Sequence, residues 1–308
     1  MLNEWTEKTM PAVYLLIILT CFSLLTPSSA RYTPNLMKNH HDKNIPFYST
    51  KTLKVMTLNL AHGRKDSMNQ LLLSKDSIRS NLVDIAVVLQ QQQADVVALQ
   101  EADAPSRWSG NFNHVTLLAQ QAGSPAYIQT SHASSWLFNY GTALLSRLPF
   151  TATLQHTFQP SPPTMNKGYT LGQIAWQPKA DDSKAILLDL VSVHLDFSRK
   201  SIREQQAAEL KETLIDRDHP MIILGDFNSD WFADEKVIRA LTDNTGFHVY
   251  RPEAQDLGTY NSSNKLLDWI LISEELEIRS LTILPEIVSD HSAVVAEIGL
   301  KEPIHAEK

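Results

Sequence analysis

The strongest restriction on the fold of this chain is a series of short apolar runs that polar residues barely interrupt. They include Lys54–Leu60, Asp95–Leu99, Thr142–Ser146, Ile186–His194, Met221–Leu224, Leu267–Ile272 and Ala293–Ile298. Short, nearly continuous runs of this kind are strands covered on both faces. Helical patterns lie between some of them. In Ser77–Gln93, Ile78, Leu82, Ile85 and Leu89 fall on one face. A second helix is predicted from Ser201, where Ser201 and Glu204 have capping-box spacing and Ile202, Leu210 and Leu214 form a stripe. A third is predicted at Asp234–Leu241. Strands mixed with helices in this way imply two packed sheets with helices outside.

The ends of the chain read differently. Ala12 to Leu25 is an uncharged apolar run, short for the ~20 residues of a membrane span but suited to a signal-peptide core. Pro27, Ser28, Ser29 and Ala30 follow, so cleavage is expected after Ala30 and export to the periplasm or medium is expected with it. Glu4 and Glu7 outweigh Lys8, which is unusual for a signal, and the alternative is an uncleaved N-terminal anchor. The organisation expected is therefore a signal peptide at 1–30, a polar lead-in at 31–50, one domain at 51–300 and a charged tail at 301–308. Cys21 is the only cysteine and lies inside the apolar run, so no disulfide supports the fold and the core alone must hold it.

Composition narrows the function. Hydrophobic residues make up 43% of the 308 residues, too many for a disordered chain. The formal net charge of −7 argues against a general electrostatic grip on nucleic acid or anionic lipid.

The polar residues at the strand ends carry the chemistry. Asn59 ends the first run and Glu101 follows the second. His194 ends the fourth, and Asp226 and Asn228 directly follow Met221–Gly225. Asp268 sits within Leu267–Ile272, and Asp290 and His291 precede the last run. Any one of these is explained by the turn preference of Asp and Asn. Together they describe side chains converging on one rim of a sandwich, where loops carry function. His62 and Arg64, just after Asn59, either reach a substrate phosphate or belong to a solvated turn at Gly63. Trp108, Trp136 and Tyr140 either stack on a substrate or pack in the core.

In order, "TLNLAHGR", "VVALQEAD", "YGTALLSRLPF", "VSVHLDF", "IILGDFNSD", "LLDWILIS" and "VSDHSAVVAEI" resemble the motifs of the endonuclease/exonuclease/phosphatase (DNase I-like) superfamily over about residues 51–300. The resemblance implies an α+β fold, a four-layer α/β/β/α sandwich of two mainly antiparallel sheets flanked by helices. It implies a metal-dependent hydrolase of phosphate esters, with Mg²⁺ as cofactor and Mn²⁺ or Ca²⁺ as alternatives. Glu101 matches the metal-binding glutamate, Asn59 its support and Asp290 a further metal-side carboxylate. His291 matches the histidine that acts on the scissile phosphate, and Asp268 the acid that orients it. Asp226 matches the carboxylate that positions or deprotonates water, Asn228 a phosphate donor and His194 a second phosphate-side group.

Three functions remain at this level. The first is an exported phosphodiesterase acting on a lipid head group or a small phosphorylated metabolite. The second is an extracellular nuclease, weakened by the lack of a basic run. The third is a silent binding domain, disfavoured because the matched positions keep their residues. The proline-rich stretch Gln159–Tyr169 reads as a polar rim loop rather than a membrane hairpin. No stable membrane span after cleavage and no protein partner are expected.

Overall fold

The computed structural model describes residues 48–301, apart from 68, 179–184, 235 and 244. The expected signal peptide, nearly all of the lead-in and the tail beyond Lys301 lie outside the described residues.

The chain opens with β1 (Tyr48–Ser49) and β2 (Thr52–Asn59), then α1 (Lys75–Gln92) and β3 (Val96–Asp103). Next come α2 (His114–Ala122), β4 (Ala126–Ser134), β5 (Asn139–Ser146), β6 (Ala152–Thr157), β7 (Gly168–Gln177) and β8 (Ile186–His194). Then follow α3 (Lys200–Leu214), β9 (Met221–Asp226), α4 (Val237–Thr242), β10 (His248–Val249), β11 (Asp268–Ile272), β12 (Leu276–Ile283) and β13 (Val294–Leu300). One six-stranded sheet runs β12-β13-β2-β3-β5-β4. The other runs β1-β7-β8-β9-β11-β10, with β6 also paired to β7. Most pairs are antiparallel; β2–β3, β8–β9 and the short β1–β7 pair are parallel.

Three apolar layers explain the near-continuous runs. Leu53 and Val55 of β2 face the second sheet and pack with Ile174, Leu190, Leu224 and Ile270. Met56 and Leu58 of the same strand face outward, against Ile78, Leu82, Ile85 and Leu89 of α1. On the far side, Val191, Val193 and Ile223 meet Leu210 and Leu214 of α3 and Ile238 and Leu241 of α4. The central strands β2, β8 and β9 therefore bury both faces, at about 1.5–3 kcal/mol per large side chain removed from water. This is the expected α/β/β/α sandwich.

The differences in detail have local causes. α1 starts two residues before the expected Ser77, because Ser74 caps it and accepts a bond from the Ser77 amide at 3.1 Å. α2 was not expected; Asn113 caps it by accepting from Thr116 N at 2.8 Å, and Gly123 closes it in the left-handed region. The capping box at Ser201 does not form. α3 begins at Lys200, and the turn before it is held by Asp196, whose carboxylate accepts from the Ser198 and Arg199 amides. α4 is shorter than the expected helix and begins at Val237. Of the stretch Gln159–Tyr169, the last two residues belong to β7, all ten residues of which are buried.

Candidate active site

Two parallel pairs, β2–β3 and β8–β9, deliver four carboxyl ends to one rim of the sandwich. Asn59, Glu101, His194 and Asp226 are there for that reason. β11 runs antiparallel to β9, so its first residue, Asp268, lies opposite Asp226. His291 arrives in the loop before β13, bridged to Tyr260. All of the strand-end residues singled out in the sequence therefore sit on one rim.

The local backbone is built for this. Gly225 cannot carry a side chain, because a Cβ there would lie 2.0 Å from the Val193 carbonyl oxygen. That close approach brings Asp226 beside His194. A bulge in β3 between Leu99 and Ala102 puts Glu101 at φ 49° and turns it away from the alternating pattern. Beneath the rim, Gln100 Nε2 donates to Ser192 Oγ at 3.1 Å and so ties the two sheets together.

Asp226, Asp268 and His291 form the centre, all buried, with ligand atoms within 4.8 Å of one another. His291 Nδ1 is 2.8 Å from Asp268 Oδ2. His291 Nε2 lies 3.9 Å and His194 Nε2 3.4 Å from Asp226 Oδ2. Burial opposes the charge on His291, but Asp268 first and Asp226 next outweigh it and raise its pKa to about 10. Burial is also the main cause at Asp226; with Asp268 it outweighs His291 and the hydrogen bonds from Asn59 and Asn228, raising this pKa to about 7. His291 is thus an imidazolium and Asp226 a proton acceptor near neutrality. Asn59 Nδ2 donates to Asp226 at 2.9 Å. Asn228 differs from its expected role: its side-chain amide donates to Leu195 O at 3.1 Å and Asp226 Oδ2 at 3.2 Å. It positions Asp226 rather than pointing at a phosphate.

On the other side of the rim stands Glu101. His62 lies between Glu101, at 3.2 Å, and Asp103, at 3.0 Å. Its own backbone is left-handed, φ 56°, which turns the ring inward against Trp108 and Tyr140. His62 thus meets neither of its sequence alternatives: it is neither solvated nor aimed at a substrate, but braces Glu101. Burial works against ionisation of Glu101, yet His62, Lys167, His194 and Arg64 together hold its carboxyl far below the usual range. Arg64 pairs with Asp290. Trp108 and Tyr140 pack with Phe138, while Trp136 is exposed.

Lys167 escaped the sequence analysis. It lies at the end of the proline-rich loop, and only the pairing of Gly168 with His194 brings it into the site. Its ammonium is 3.2 and 3.1 Å from the two ring nitrogens of His194. The signal available in the sequence was the strand-like stretch after it, whose glycines and Gln173 interrupt the apolar run.

Residues 56–291 match the model of the Endonuclease/Exonuclease/phosphatase family. The chain belongs to this family. Its members are hydrolases acting on phosphoester bonds. No curated protein sequence matches the chain. Among solved structures, an endonuclease/exonuclease/phosphatase family protein from Leptotrichia buccalis is similar, with TM-score 0.61 and 18% identity, covering 80% of this chain and 100% of the other. The Bacteroides thetaiotaomicron mannosyl-6-phosphatase Bt3783 is similar at TM-score 0.59 and 16% identity, covering 80% and 99%. The human Nocturnin catalytic domain is similar at TM-score 0.56 and 17% identity, covering 81% and 94%. At these identities the likeness is one of fold.

The donor set of this family member fits a divalent cation. Glu101 offers an ionised carboxylate, 3.2 Å from His62, and Asn59 Oδ1, which accepts from the Ala61 amide at 3.0 Å, keeps a second lone pair as a hard donor on the same rim. Asp290 is drawn to Arg64 instead. The compact Asp226–Asp268–His291 set is the other group whose ligand atoms converge, with His291 Nδ1 turned to Asp268 at 2.8 Å.

Proposed function

We propose that this protein is an exported, divalent-metal-dependent phosphodiesterase acting on a lipid head group or a small phosphorylated metabolite. The observation that carries the reading is the pairing of a proton acceptor, Asp226, with the buried Asp268–His291 couple, opposite the ionised Glu101. Asp226 takes a proton from the attacking water, which its near-neutral pKa suits. His291, held by Asp268, donates to the phosphoryl group as negative charge builds there. A fixed donor of this kind contributes about 2.7–4 kcal/mol by analogy with oxyanion holes. A cation such as Mg²⁺ held by Glu101 and Asn59, with Mn²⁺ or Ca²⁺ as alternatives, would supply Lewis-acid stabilisation of the phosphoryl oxygens.

Two observations favour small or lipid substrates over a nucleic acid. Several rim cations are engaged with the protein itself: Arg64 with Asp290, Lys200 with Asp234 at 2.7 Å, and Arg199 with Ser161, Pro162 and Thr164. A nucleic-acid backbone needs several such groups available. The rim loops also expose Trp136, Phe197 and Phe232, which suit an apolar neighbour. Beside Asn228 opens a cavity of about 500 Å³, bordered by Lys200, Arg203, Phe232 and Lys265, with room for the group attached to the phosphate. Export rests on the apolar run Ala12–Leu25 and the small residues Pro27–Ala30. Among the described residues no helix is long and apolar enough to cross a membrane.

The test is a panel of sphingomyelin, phosphatidylinositol, small phosphodiesters, phosphate monoesters, DNA and RNA, with the metal varied. Cleavage of DNA or RNA in preference to the small and lipid esters would replace this reading with the nuclease. N-terminal sequencing of exported material should begin near Arg31.

A further inference from the structure

Lys167 is a buried cation on the rim. Only 5% of the residue is exposed, so the ammonium has at most slight contact with water. A lysine that buries its stem normally keeps its head wet. Among the described residues the head has no carboxylate within ion-pair distance, and its nearest polar atoms are the two ring nitrogens of His194, of which a neutral ring offers one as an acceptor. The rings of Tyr140 and Phe197 flank it at 5.9 and 6.0 Å. They shield the charge from water without neutralising it. A buried charge without a close counter-charge is costly, and folds keep one only where something offsets it.

The position is nevertheless enforced. Gly168 cannot be replaced by a larger residue, because a Cβ would lie 2.2 Å from His156 O and 2.6 Å from His132. The Lys167 carbonyl accepts from Phe158 N at 2.9 Å. The preceding loop is clamped by Thr164, whose hydroxyl donates to Asp196 and accepts from Arg199 Nη2 at 2.8 Å. The backbone therefore holds the ammonium at the edge of the Asp226 cluster, on the side of His194 and Glu101.

We propose that Lys167 is a catalytic residue whose ammonium binds the phosphoryl group of the substrate. It is the fixed cation that opposes charge on a non-bridging oxygen while Asp226 handles the water. The inference rests on reading the rim as a phosphoesterase site. It adds a specific partner: an anionic phosphoryl oxygen lodged between Lys167, His194 and His291. The oxygen completes an ion pair that the protein alone leaves open. Arginine could serve in its place only in part, since its planar fork delivers charge along a different direction.

The experiment compares the wild type with Lys167→Met and Lys167→Arg. Inorganic phosphate binding to the metal-free full chain is measured by calorimetry, alongside thermal melting and turnover. Phosphate affinity should fall about tenfold or more in Lys167→Met, and kcat by about 100-fold, the loss typical of one such donor. Lys167→Arg should recover part of both. Lys167→Met should melt close to the wild type, because the ammonium forms no close ion pair among the described residues, and phosphate should raise the melting temperature of the wild type most, of Lys167→Arg in part and of Lys167→Met least. A Lys167→Met protein that melts well below the wild type, or that binds phosphate as tightly, would show a structural lysine and overturn the proposal. If the wild type turns over no ester, the phosphoesterase reading fails. The phosphate-binding comparison then still decides whether Lys167 holds a phosphate.

Discussion

Asp268→Asn keeps the shape of the side chain and deletes the charge that holds His291. The two groups are 2.8 Å apart, with side-chain exposures of 7% for His291 and 0% for Asp268, so solvent screens little of their attraction. Burial pushes the His291 pKa down, and Asp268, Asp226 and Asp290 lift it to about 10. From an ordinary 6.5, that rise corresponds to about 5 kcal/mol of preference for the imidazolium at ~1.4 kcal/mol per unit. Asp268 is the largest of the raising influences, and its Oδ2 also accepts the hydrogen bond from His291 Nδ1. Its neutralisation should therefore lower the His291 pKa by about 2 units or more. The sign for stability follows. A base whose folded pKa is raised stabilises the fold fully below pH 6.5 and loses that contribution as the pH rises through about 10. Asp268→Asn should therefore flatten the loss of stability between neutral and alkaline pH. NMR titration of the His291 ring, assigned with His291→Ala, reads the pKa directly. Turnover should fall about 1,000-fold or more, as when a triad aspartate is amidated. The double variant should be little worse than His291→Ala alone, because the pair acts as a unit. A shift of the His291 pKa below about 1 unit, or fully additive losses in kcat, would refute the coupling.

Other consequences follow from specific contacts. Gly225→Ala places a methyl group 2.0 Å from the Val193 carbonyl and should cost about 2–4 kcal/mol, read from the denaturant midpoint; an unchanged midpoint would contradict the close approach. His132 is held neutral, its pKa lowered to about 3 by burial first and then by Lys167 and His156. That contribution is present above pH 6.5 and is lost as the pH falls, about 2 kcal/mol between pH 7 and 5. His132→Gln should lose that dependence in paired denaturation curves. Arg64→Ala releases Asp290 and should lower the metal concentration for half-maximal activity several-fold; a raised KM at unchanged metal requirement would instead assign Arg64 to the substrate.

The sequence showed the rim more fully than the sandwich around it. Asn59, Glu101, His194, Asp226 and Asp268 were readable because each sits at or just beyond an apolar run, and topology then brings those ends together. β7 was hidden although every residue is buried, because Gly168, Gly172 and Gln173 break its apolar pattern. β6 lies at an edge and is only half buried, and β12 presents several exposed residues, so neither has a continuous run. The partners of the rim residues were the least readable. His62 meets Asp103 41 residues away, Arg64 meets Asp290 226 residues away, and Lys167 meets His194 only through the register of β7 and β8. Pairings at such separations depend on strand order, which residue pattern alone does not specify.

The most direct measurement is turnover of the substrate panel by purified protein stripped of metal, with Mg²⁺, Mn²⁺ or Ca²⁺ then added back, beside Glu101→Ala. The expected result is cleavage of a small or lipid phosphodiester that chelator abolishes and divalent metal restores. In Glu101→Ala it should be largely lost while the fold is intact. Full turnover in chelator with the site stripped, or unchanged metal-dependent turnover in Glu101→Ala, would contradict the role given to Glu101 and the mechanism built on it.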